Sequence, residues 1–117
     1  MKRARRFTVN EQTFGLSVDF YVDAPQALAL KRCVALLDLD PADPENAPDD
    51  SAAAWAMCHG PQAVVWVEDG EDPSSLVHEL YHVTQAFLKH IESYDEETGA
   101  YLLAYLYKEA RKKLNRK

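Results

Sequence analysis

DPSSLVHELYHVTQAFLKHIE, residues 72–92, decides how the chain is read. Asp72 is a good helix cap, Pro73 suits the first helical position, and apolar residues recur with helical period from Leu76 onward. A helix to about Glu92 is therefore expected. At about 100° per residue, Leu76, Val77, Leu80, Tyr81, Val83, Phe87, Leu88 and Ile91 fall on one arc. That arc is the expected core side. His78, Glu79, His82, Gln85 and Lys89 fall on the other.

AAAWAMCH and AVVWVED precede this helix and are joined through Gly60 and Pro61, the pattern of a β-hairpin. Further upstream, RFTVN and FGLSVDFYVD alternate apolar and polar positions as strands do. Pro25 then opens a helix over residues 26–37, with Leu28, Leu30, Val34 and Leu37 on its apolar side. DLDPADPENAPDDS, residues 38–51, carries three prolines and six acids and reads as a loop. It lacks the glycine and closing glutamate of a calcium loop. Downstream, Ser93 and Tyr94 form a short turn, Asp95 caps again, and a last helix reaches about Leu114. The order of strands, helix, hairpin and two helices predicts an α+β fold, a small mixed sheet with helices packed on one face.

The 117 residues suit a single domain, 1–117, with one modest core. No run of apolar residues is long enough to span a bilayer, so no membrane partner is expected. With only Cys33 and Cys58, the chain has too few cysteines for a disulfide scaffold and fits a reducing, cytoplasmic setting. The net charge of −6 conceals uneven placement: of 13 basic residues, only Lys31, Arg32 and Lys89 lie outside the two ends. The ends, residues 1–6 and 115–117, read as flexible basic tails, and basic residues closing a last helix complement its dipole. No nucleic-acid-binding motif accompanies them, so nucleic acid is not an expected partner.

His78 and His82 are four residues apart, slightly more than one turn, so their imidazoles project about 40° apart on one side of the helix. Two such nitrogens can meet one Zn²⁺, while Glu79, about 100° away, stays near without ligating. A third ligand is needed. His90 and Glu92 sit too many turns away on the same helix, whereas the next helix returns antiparallel and offers Asp95, Glu96 and Glu97. Glu97 is the candidate, because Ala100 and Ala104 would let the two helices approach closely beside it. Cys58 and His59, the other metal-like pair, are strand neighbours pointing to opposite faces.

HELYH on one helix, followed by the glutamate of DEETGAYLLAYL on the next, resembles a zincin of the gluzincin type. More closely, residues 60 to 107 resemble the small HExxH metallopeptidases encoded in phages and prophages. That resemblance implies a zinc metallopeptidase in which His78, His82 and Glu97 hold Zn²⁺ and Glu79 is the general base, acting on a peptide or protein substrate. Tyr101 stands where larger gluzincins often have an aspartate, and Gln85 and Leu88 stand where a metzincin needs glycine and its third histidine. AVVWVED is the candidate edge strand for an extended substrate, with Val65 and Val67 toward it, and Tyr101 is a candidate for oxyanion contact. The alternative is a non-catalytic zincin-like module that binds a phage or host protein.

Overall fold

In the computed structural model, residues 3–37 and 52–115 are described; the acidic segment 38–51, read above as a loop, lies outside them. The elements are β1 (Arg5–Glu11), β2 (Leu16–Val22), α1 (Gln26–Leu37), β3 (Ala54–His59), β4 (Gln62–Val67), α2 (Pro73–His90) and α3 (Glu96–Leu114). The class is the expected one, α+β with a four-stranded mixed sheet. Strand order is β1-β2-β4-β3, with β2 and β4 parallel and both outer pairs antiparallel.

Strand alternation divides the sheet between two cores. Val18, Phe20 and Val22 of β2 and Ala63, Val65 and Val67 of β4 point to one face, where Leu76, Leu80, Val83 and Phe87 of α2 and Leu102, Leu106 and Ala110 of α3 cover them. Tyr21, Val64, Trp66 and Trp55 point to the other, where Ala29, Cys33 and Leu37 of α1 pack. The expected one-sided packing therefore holds for α2 and α3 but not for α1. A parallel β2–β4 pair requires a crossover, and α1 makes it on the opposite face. Because the central strands are covered on both sides, β4 reads AVVWV, nearly continuous apolar sequence. Full burial of Phe20 or Phe87 contributes about 2–3 kcal/mol each.

α1 is rotated only in part from the expected side, since Leu37 is buried and Leu30 packs against the same core as expected. Ala29, Cys33 and Leu37, spaced by four, are buried, while Leu28 is 52% exposed. Small Ala29 and Cys33 leave room for the bulky Trp55–Trp66 pair, whose rings lie 6.2 Å apart. Trp66 Nε1 donates to the Ala24 carbonyl at 2.8 Å, tying the start of α1 to the sheet.

Both caps are as expected. The Asp72 carboxylate accepts from the backbone N–H groups of Ser74 and Ser75 and from both their hydroxyls. Asp95 accepts from the Glu97 N–H. α2 ends two residues earlier than Glu92, which takes a left-handed φ of 56° to make the turn into α3. The supposed N-terminal tail is partly strand, since Arg5 and Arg6 pair with Val22 and Tyr21. No helix among the described residues is long and apolar enough to cross a membrane.

Candidate metal centre

α2 lies over β3 and β4 with its Leu76–Leu80–Val83–Phe87 side against the sheet. The opposite side carries His78 and His82, both exposed. Their Nε2 atoms are 3.1 Å apart, with ring centroids at 4.8 Å and planes at 74°. Two nitrogens on one tetrahedral Zn²⁺ at 2.0–2.1 Å would stand about 3.3 Å apart, so the observed pair is within a few tenths of an ångström of a chelating arrangement.

Glu79 departs from the helical-wheel expectation of a polar side: it is buried, 7% exposed. Its Oε2 stays 4.0 Å from His78 Nε2. Burial raises its proton affinity above that of an ordinary glutamate, and the two neighbouring imidazoles oppose the shift more weakly. The reason for the burial is positional. His90, about 20° from Glu79 around the helix, packs beside Gly60 in the β3–β4 turn, so this flank of α2 faces the β3 side of the sheet. His78, Glu79 and His82 bring one ligand atom each within 4.8 Å of one another, the metal-competent cluster among the described residues.

Glu97 is not part of it. It is exposed, on the side of α3 away from buried Leu102 and Leu106. The reason is the length of α2. Leu88 packs against Gly99, so the helices are level there, and Glu97 lies about 12 Å along the axis beyond His82 at 1.5 Å per residue. Fifteen residues of spacing are too few for the chain to finish α2, turn and climb back to the histidines. The close approach expected at Ala100 and Ala104 occurs instead at Gly99, since both alanines are exposed.

The substrate contacts read from sequence are also relocated. β4 is an inner strand paired on both sides, and Val65 and Val67 are core residues, 0% and 1% exposed. The outer strand beside α2 is β3. A long apolar run marks an inner strand rather than an edge, which is the signal that pointed the other way. Tyr101 faces β1 at the far side of the sheet, its hydroxyl 3.5 Å from Glu11 Oε1 and its ring 5.9 Å from Tyr105. Glu11 itself is structural, accepting from the Thr13 and Phe14 N–H groups that close the β1–β2 turn.

One feature beside the histidines was not expected. Val77 and Tyr81, placed in the core by periodicity, are 39% and 52% exposed, and the Tyr81 ring lies 6.2 Å from that of His82. Tyr81, Leu88, Gly99 and Leu103 line a trough of about 680 Å³ between α2 and α3, with the buried Thr84 hydroxyl at its wall and without a hydrogen-bond partner. The small Gly99–Ala100 pair, which leaves this space unfilled, is the sequence signal for it. Comparison of the chain with protein families, curated proteins and solved structures finds no match.

Proposed function

We propose that the chain is a zinc-dependent hydrolase of peptide bonds, of the HExxH kind that small phage-encoded metallopeptidases exemplify, with His78 and His82 as two of the cation's ligands and Glu79 as general base. The observation that carries this reading is the 3.1 Å separation of the two Nε2 atoms beside a buried carboxylate 4.0 Å away. Paired imidazoles with a neighbouring carboxylate suit zinc among common divalent cations. When bound, zinc supplies an acidified water and an electrophile for the carbonyl oxygen.

The chain's own part is proton handling and positioning. Glu79, with its proton affinity raised by burial, takes the proton of the attacking water and returns it to the leaving amine. β3 pairs with β4 alone among the described residues, and its outer edge on the Glu79 side of α2 presents backbone groups to which an extended peptide can add as a strand. Two unpaired thiols, Cys33 and Cys58, fit a cytoplasmic setting.

A second reading, a non-catalytic zincin-like module that binds a protein partner, is favoured by the position of Glu97 outside the cluster. Metal content of untagged protein and cleavage of an unstructured protein such as casein separate the two. Bound zinc with cleavage lost in Glu79→Gln supports the hydrolase. Zinc without Glu79-dependent cleavage supports the module, and absence of zinc binding ends both metal readings.

A further inference from the structure

The two basic ends of the chain are far apart in sequence and adjacent in space. β1 starts beside the end of α3, where the Arg5 guanidinium donates to the Leu114 carbonyl. Arg3, Arg5, Arg6 and Lys113 line a depression of about 760 Å³. It shares Arg5 and Arg6 with a second of about 410 Å³, which adds Lys31 and Arg32 from α1. A third, about 530 Å³, shares Arg3 and Arg5 and adds Arg111, with Asp23 and Glu71 as its acids. Seven of the ten basic residues among those described thus border one connected surface, although the whole chain carries six more negative than positive charges.

From this segregation we infer that the β1–α3 end of the molecule binds the phosphodiester backbone of a nucleic acid. The tails considered singly are ordinary helix-end and strand-end charges. The fold joins them, and summed potential rather than any single pair attracts a polyanion. Arginine predominates, and its planar fork matches phosphate oxygens better than a lysine ammonium does. Arg6 also lies over the Tyr21 ring at 5.5 Å, holding its guanidinium at the junction of two depressions. Depressions lined by cations from two elements, β1 with α1 and β1 with α3, suit a strand of regularly spaced phosphates better than the flat face of a lipid surface. This inference is independent of the metal centre on α2.

The test is fluorescence anisotropy of the full chain with labelled single-stranded and duplex oligonucleotides of mixed sequence. Binding should weaken on the order of a hundredfold between about 50 and 200 mM salt, the slope of roughly four neutralised phosphates. Arg6→Glu and Lys113→Glu should each weaken it and together abolish it, whereas Lys89→Glu, equal in charge change to either single variant but on α2, should leave it intact. Arg5 and Arg32 are avoided because each holds a structural hydrogen bond, and circular dichroism checks that the variants fold. Absence of binding at low salt, insensitivity to the Arg6/Lys113 pair, or equal loss in Lys89→Glu overturns the inference. So does tighter binding to phosphatidylserine vesicles or to polyglutamate than to either oligonucleotide.

Discussion

His78 Nε2 and His82 Nε2 stand 3.1 Å apart on consecutive turns of α2, close enough that one hydrogen bond or one shared cation satisfies both. The second possibility makes a sharp prediction about ligands. His78→Ala and His82→Ala should each lower zinc affinity by at least about tenfold, whereas Glu97→Gln should leave it unchanged because residue 97 lies beyond the cluster. Isothermal titration with Zn²⁺ reads all three, and a large loss in Glu97→Gln would show that the two helices rearrange around the metal.

Gly70 should tolerate no side chain. A Cβ there would meet Val22 Cγ1 at 2.5 Å and Asp23 Oδ2 at 2.9 Å, in the segment that leads into the α2 cap. Gly70→Ala is expected to cost about 1–3 kcal/mol as an overpacking change. Urea denaturation checks it; an unchanged midpoint would mean that the end of β2 yields freely.

Asp19 is a buried carboxylate, accepting from Thr8 Oγ1 at 2.7 Å and Arg32 Nε at 2.8 Å. Arg32→Met leaves Thr8 as its remaining side-chain partner. The expected loss is roughly 1–2 kcal/mol, at the low end for a broken pair because the arginine side chain is 36% exposed. Asp19→Asn, which removes the charge together with the need for its counterion, should cost less than Arg32→Met in the same denaturation experiment.

The Asp72 cap confers a pH dependence. The hydroxyls and N–H groups of Ser74 and Ser75 hold its carboxylate below the usual aspartate range. Its folded-state pKa is depressed, so its contribution is complete above the unfolded-state value and disappears as pH falls through the folded one. Asp72→Ala should lower the melting temperature by a few degrees at neutral pH. The gap between variant and parent should close in strong acid, and a gap constant with pH would assign the effect to packing instead.

Cys33 and Cys58 give an alkaline counterpart. Burial pushes the Cys33 thiol up to about 12 and that of Cys58 up to about 11. Raised folded-state values mean that stability holds below the ordinary thiol range and falls as pH climbs toward those numbers. At neutral pH, iodoacetamide should label Cys33 only after denaturation. Rapid native labelling of Cys33 would show that α1 detaches from the sheet.

Local structure in this chain was legible because local rules govern it. Asp72 and Pro73 announce α2, Asp95 announces α3, and Gly60 with Pro61 marks the β3–β4 turn. The histidine pair follows from helical pitch alone, since four residues place two side chains on one side whatever surrounds them. Three-dimensional contacts decided the rest. Which flank of α2 met β3, and so buried Glu79, depended on how the helix lies across the sheet. Whether AVVWVED was an edge or an interior strand depended on a parallel pairing with β2 that periodicity does not encode. The distance of Glu97 from His82 was set by two further turns of α2, and the union of the basic ends by the packing of α3 on β1. Spacing along a chain reports neighbours within one element; contacts between elements depend on the relative placement of rigid bodies, which no single stretch of residues contains.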